Sequence, residues 1–120
     1  MPHIDSSEFG AIIVDGKKYH QVLIVGNLVL EREYEKLKNL FGTSHQIGDW
    51  EVESLLKESP EIIIIGTGQD GMLRVDKEFL DRARENNAEL VVEITPKAVE
   101  IYNDKVKTGQ RVNALIHTTC

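Results

Sequence analysis

Four consecutive isoleucines, Ile62 to Ile65, constrain this chain more than any other segment. A strand with one wet face alternates apolar and polar residues. Four β-branched residues in a row need apolar neighbours on both faces, as in the interior of a parallel sheet. The strand opens into Gly66-Thr67-Gly68-Gln69-Asp70-Gly71, whose glycines have the G-x-G-x-x-G spacing of a dinucleotide cradle.

The second half of the chain reads strand–helix–strand–helix–strand. After the 62–65 strand, Asp76 caps a helix, Val75 and Leu80 form a hydrophobic staple, and Phe79 and Ala83 face inward. Asn86-Asn87 ends that helix, and 89–94 is a strand. Thr95-Pro96 starts the last helix, with Ala98, Val99, Tyr102 and Val106 on its apolar face and Gly109 closing it. Arg111–His117 is the final strand. Crossovers of this kind are right-handed and leave their strands parallel.

The first half has a different grammar. Segments 8–14 and 19–25 are strand-like, with the turn dipeptide Asp15-Gly16 between them. Gly26-Asn27 is a second turn, and 28–32 returns as a strand, so the first third reads as an antiparallel meander. Tyr34, Leu37 and Phe41 lie on one face of a short helix over 33–41. A loop over 42–48 leads to a helix capped by Asp49, with Val52, Leu55 and Leu56 inward and Pro60 beyond its end. The expectation is a single α/β domain over residues 1–120. A central mixed, largely parallel sheet is flanked by helices in three layers and joined by the N-terminal meander.

Charge excludes several classes of partner. The net charge of −6 over 120 residues opposes non-specific binding to nucleic acid or to an anionic membrane. With 41% hydrophobic and 28% charged residues the chain is globular rather than disordered. No apolar run is long enough to span a bilayer, and the first residues lack a signal sequence. The single cysteine, Cys120, cannot form an intrachain disulfide, which fits a reducing cytoplasm.

The glycine loop supports two readings. Glu93 lies 22 residues after Gly71, near the place of a ribose-binding acid. Against a phosphate cradle, Asp70, Asp76 and Glu78 crowd the positive end of the following helix, and only Arg74 offsets them. That helix also starts after Val75 rather than among the glycines. The reading favoured by the residues is structural: the glycines turn the chain sharply off a buried strand.

If the last three strands are parallel, Gly66–Gly71, Thr95 and His117–Cys120 share one sheet edge, where open α/β sheets place ligands. The candidate ligand contacts are Gly66, Thr67, Gly68, Gln69, Gly71, Thr95, His117 and Cys120, with His45 joining from the 42–48 loop. His117 and Cys120 have a His-x-x-Cys spacing, but metal motifs pair ligands from two segments, and the charge expected at the chain end disfavours a thiolate. No catalytic residue, metal or cofactor is assigned. His3 and His20 have no evident partners and are read as solvated, and Trp50 is read as packing on the sheet.

Gly42-Thr43-Ser44-His45, the strand and loop Ile62–Gly71, Ala98–Asn103 and the ending His117-Thr118-Thr119-Cys120 together resemble a small single-domain family of unknown function. That family includes the mitochondrial complex I assembly factor three and a vertebrate adipogenesis-associated protein. The resemblance runs from Phe9 to Cys120 and implies an α/β fold with a mixed sheet and an extra β layer. It implies no enzymatic activity. The expectation is a cytoplasmic, non-enzymatic protein-binding or assembly module, exposing an apolar patch on the meander or on Tyr34–Phe41. The alternative is a small-molecule or nucleotide binder, or an enzyme, using a pocket at the glycine loop. Neither the partner nor the oligomeric state follows from the residues.

Overall fold

The computed structural model describes residues 1–120 and has eight strands and four helices. β1 (Ile4–Glu8), β2 (Ala11–Val14) and β3 (Lys17–Tyr19) form a small antiparallel sheet in the order β1-β2-β3. β4 (Val22–Val25), β5 (Leu28–Glu31), β6 (Ile62–Thr67), β7 (Glu89–Glu93) and β8 (Val112–His117) form the main sheet, in the order β5-β4-β8-β6-β7. β6 runs parallel to both β7 and β8, whereas β4 runs antiparallel to β5 and β8. The helices are α1 (Tyr34–Phe41), α2 (Asp49–Leu55), α3 (Lys77–Glu85) and α4 (Thr95–Lys107).

The isoleucine strand divides the core in two. Ile62 and Ile64 point into one layer with Ile12, Ile24, Ala98, Tyr102 and Ile116, under α4 and the small sheet. Ile63 and Ile65 point into the other with Leu23, Leu55, Phe79, Ala83 and Leu115, under α2 and α3. All four are at most 3% exposed, and each contributes roughly 1.5–3 kcal/mol by burial. The connection β6–α3–β7 steps outward and β7–α4–β8 steps back across β6, so one crossover hand puts α3 and α4 on opposite faces.

The local signals at the helix ends were realised in part. Asp76 caps α3 by accepting the Phe79 N–H at 2.9 Å, and α4 carries Pro96 in its first turn. α2, however, is capped by Gly48 rather than Asp49. Glycine has no side chain to offer, so the helix start is held by Glu51, whose Oε1 accepts the Gly48 N–H at 3.0 Å.

The meander also differs from expectation. Segment 8–14 breaks at Phe9-Gly10, where Gly10 has φ +78°, and β1 begins earlier, at Ile4. Segment 19–25 breaks at His20-Gln21, so β3 stays in the small sheet and β4 enters the main one. The hairpin signals were local, whereas the change of sheet is dictated by the pairing of β4 with the distant β8.

His3 and His20 do have partners. His3 Nδ1 lies 2.8 Å from Asp5 Oδ1, and Asp5 Oδ2 accepts the Gly16 N–H at 2.7 Å, which ties β1 to the β2–β3 turn. The His3 hydrogen bond, followed by the Gly16 N–H, holds the Asp5 carboxyl below its ordinary range. His20 meets Tyr34 edge to face at 5.5 Å.

Candidate functional site

The carboxyl ends of β6 and β8 lie side by side, with Thr67 in register with His117. Thr95, fully buried at the start of α4, joins them: its hydroxyl donates to the His117 carbonyl and accepts the Gly68 N–H at 2.9 Å. Thr67 Oγ1 donates to the Glu93 carbonyl at 3.1 Å. A Cβ at Gly66 would lie 3.0 Å from Thr95 Oγ1 and 3.4 Å from the Ala98 Cβ, so that glycine lets α4 approach the strand closely.

The glycine loop is occupied by the chain itself. Gln69 N–H donates to the Thr119 carbonyl at 2.8 Å, and the Asp70 and Met72 N–H groups both donate to the Cys120 backbone oxygen, at 3.1 and 2.9 Å. Gly68 has φ +106°, and a Cβ there would lie 2.5 Å from the Cys120 carbonyl carbon. The loop thus converges its amides on an oxygen, as a phosphate cradle does, but the oxygen belongs to Cys120. Gly71 packs beside Ile94, with a Cβ position 3.3 Å from Ile94 Cγ2. α3 starts at Lys77, well beyond the glycines, and its first turn is already capped by Asp76.

Beside this edge lies a buried polar cluster centred on Arg32. Its guanidinium makes a bidentate pair with Glu51, Nε to Oε2 at 2.7 Å and Nη2 to Oε1 at 2.9 Å. Nη1 also donates to Gln21 Oε1 at 2.7 Å and to the Ser44 carbonyl at 3.3 Å, and Nη2 to the Gln46 carbonyl at 3.0 Å. Both charged side chains are essentially inaccessible. The cluster therefore joins the end of β5, the α1–α2 loop and α2 by charge-assisted hydrogen bonds.

His117 completes it. Nδ1 lies 2.8 Å from Gln21 Oε1, and Nε2 lies 3.2 Å from Thr119 Oγ1. Because Gln21 Oε1 already accepts from Arg32, it can only be an acceptor toward His117, which places the proton on Nδ1. Nε2 then accepts from Thr119. Burial, followed by the charges of Arg32, His45 and His20, pushes the His117 pKa down to about 3. The ring is neutral and has no access to solvent. His45 packs edge-on against it, with centroids 5.2 Å apart. Cys120 is partly exposed, and no hydrogen bond links it to His117. No group of three His, Cys, Asp or Glu side chains converges as a metal site.

All nine sequence candidates therefore lie along this edge, packed among the chain's own residues, although Gln69 Nε2 is buried without a hydrogen-bond partner. Arg32, Glu51, Gln21 and Ser44 were missed. A signal existed only for Glu51, at the third helical position where a carboxylate reaches back to the cap. Arg32, between Glu31 and Glu33, reads as an ordinary surface residue.

A second feature lies along the lateral edge strand β5. Leu28 and Leu30 of β5 are exposed on the α2 side, and Tyr34, Leu40 and Phe41 of α1 are exposed as well. Trp50 is half-buried and belongs to neither core. It folds back over Gly48 and stacks parallel to Phe41 at 6.5 Å, with Lys36 Nζ 4.1 Å from its ring centroid. α1 buries only Leu37.

The sequence profile described as "Protein of unknown function (DUF498/DUF598)" matches residues 4–117. The chain belongs to this family. Among solved structures it is similar to the protein MT938, at 31% identity over 100% of both chains with a TM-score of 0.77. It is also similar to the conserved hypothetical protein PH1505 from Pyrococcus horikoshii OT3, at 28% identity over 98% of each chain with a TM-score of 0.81. A Bordetella pertussis protein described as an Mth938-like domain shares the fold at 18% identity, over 97% of this chain and 85% of that one, with a TM-score of 0.60. The family relation supports the sequence-based expectation of fold and of membership in a family of unknown function. No helix of the chain is long and apolar enough to cross a membrane.

Proposed function

We propose that the chain is a non-enzymatic docking module that binds an extended segment of another protein along β5. The observation that carries this reading is the unprotected sheet edge beside an exposed apolar surface. Sheet edges are normally blunted by charge or proline. The other edge strand, β7, begins and ends with glutamate, whereas β5 reads Leu-Val-Leu before Glu31.

Arg32 N–H donates to the Gln21 carbonyl at 3.0 Å, so alternate residues 28, 30 and 32 complete the ladder to β4. The backbone groups of Val29 and Glu31 then point to the free edge, ready for an added strand. Apolar side chains of that strand would lie over Leu28 and Leu30 and against the Trp50–Phe41 stack. α1 supports the reading: eight residues are too few for a stable helix alone, and one buried leucine gives it a thin anchor. A second copy would bring another six negative charges, so the favoured occupant is a neutral or basic segment of a different protein.

The assembly role known in the mitochondrial branch is in keeping with this reading, as is a cytoplasmic setting. The solvent-inaccessible His117, with no bond to Cys120, argues against catalysis at the carboxyl ends of β6 and β8.

Selection of short random peptides on the immobilised chain tests the proposal. Enriched peptides should alternate apolar with polar or basic residues, slow hydrogen exchange at the Val29 and Glu31 amides, and lose binding to Leu30→Lys. Peptides that bind Leu30→Lys equally well would refute it, as would a free chain already dimeric through β5.

A further inference from the structure

A separate cleft opens between the segment from Gln46 to Val52 and the segment from Arg74 to Arg82, with a volume of about 270 Å³. Its floor is Ile47, Val52, Val75 and Phe79, all packed in the core layer under α2 and α3. The backbone bond from Arg74 N–H to the His45 carbonyl, 2.9 Å, joins the two walls at one end. The cleft is therefore a feature of the folded core rather than a gap between loose loops.

The rim carries both signs of charge. Arg74 and Arg82 reach it from one wall, together with Glu78, and Asp49 from the other. None of these four side chains makes an ion pair or a side-chain hydrogen bond within the chain. Asp76 also lines the cleft, but its Oδ1 is engaged in capping α3. Guanidinium and carboxylate groups that share a small concavity without neutralising one another are suited to a ligand that carries both opposite charges. The apolar floor calls for an apolar body between them and the core.

We propose that this cleft binds a small zwitterion with an apolar body, of the size and chemistry of a hydrophobic α-amino acid. The ligand carboxylate pairs with Arg74 or Arg82 at the rim. The ammonium faces Asp49 and Glu78. The side chain covers Val52 and Phe79. The volume lies just below the usual range for pockets that take drug-sized ligands, which fits an amino acid and excludes a dinucleotide. This site is independent of the β5 edge, so either proposal can fail without the other.

Calorimetry and amide chemical-shift titration of the whole chain with L-phenylalanine and L-leucine test it. Three analogues separate the charges: 3-phenylpropionate lacks the ammonium, phenethylamine lacks the carboxylate, and N-acetyl-phenylalaninamide lacks both. The amino acids should bind saturably, with shifts centred on Ile47, Val52, Val75 and Phe79, and each analogue should bind about tenfold more weakly or worse. Arg74→Gln with Arg82→Gln, and separately Glu78→Gln, should weaken binding with at most a small drop in the thermal melt, since these side chains lose no ion pair or hydrogen bond and only Glu78 and Arg82 lose a helix-end charge. No saturable binding by either amino acid, or equally tight binding of 3-phenylpropionate, would overturn the proposal.

Discussion

Arg32 and Glu51 form a bidentate ion pair at 2.7 and 2.9 Å with neither side chain accessible to water. Desolvation offsets much of the attraction in such a pair, but removing one partner strands the other charge. Glu51→Ala is expected to cost about 3–5 kcal/mol in urea denaturation. It also releases the Gly48 N–H at the start of α2. The double variant Arg32→Met with Glu51→Leu should lose clearly less than the sum of the single variants. Additive losses would show that the two groups do not act as a unit.

Gly68 should tolerate no side chain. Alanine there meets both a φ of +106° and the Cys120 backbone at 2.5 Å, whereas at Gly109, φ +84°, the added methyl meets nothing within 4 Å. Gly109→Ala is expected to cost about 1 kcal/mol through strain alone. Gly68→Ala should cost at least about 2 kcal/mol more, the cost of dislodging Thr119 and Cys120. Hydrogen exchange at Gln69 and Met72 should speed up in this variant, because their acceptors move.

His117 should make the fold acid-sensitive earlier than its carboxylates do. Its pKa is about 3 in the folded chain and 6.5 ordinarily, so on acidification the unfolded chain takes the proton first. Stability from this group is complete above about pH 6.5 and falls as pH drops toward 3, at about 1.4 kcal/mol per pH unit. Between pH 7.5 and 5.5 the loss should be about 1.4 kcal/mol. Chemical denaturation at the two pH values, with His117→Gln as the comparison, checks it: that share of the loss should vanish in the variant.

Asn113 is the other polar residue buried in β8. Its Oδ1 accepts the Gly26 N–H at 2.8 Å, and its Nδ2 donates to the carbonyls of Leu55 and Lys57 at 2.9 and 2.8 Å. It therefore binds the end of α2 to the β4–β5 turn. Asn113→Leu keeps the volume but leaves those backbone groups without partners, at an expected cost of about 3 kcal/mol, read from the thermal midpoint and the urea transition.

Local patterning accounts for most of what the residues disclosed. The isoleucine run split alternately between two cores, Asp76 capped its helix, and Thr95-Pro96 opened the last one. The segments that misled were those whose fate is decided at long range. His20-Gln21 reads as the middle of one strand, but Gln21 is drawn away by Arg32 and His117. Arg32 reads as surface because a buried guanidinium is identified by its partners, and its ion-pair partner lies 19 residues away. The glycine loop was read correctly as adjoining Thr95 and His117–Cys120. That Thr119 and Cys120 would fill it depends on backbone pairing across about 50 residues, which carries no sequence pattern.

The place of β8 has a consequence for synthesis. It is the last strand in sequence and sits between β4 and β6, in the middle of the main sheet. Until residues 112–117 leave the ribosome, β4–β5 and β6–β7 are two separate half-sheets, each with a bare inner border. A nascent chain paused before that point offers both borders to neighbouring polypeptides. The emergence of residues 112–117 therefore decides whether the two half-sheets join or stay open to aggregation.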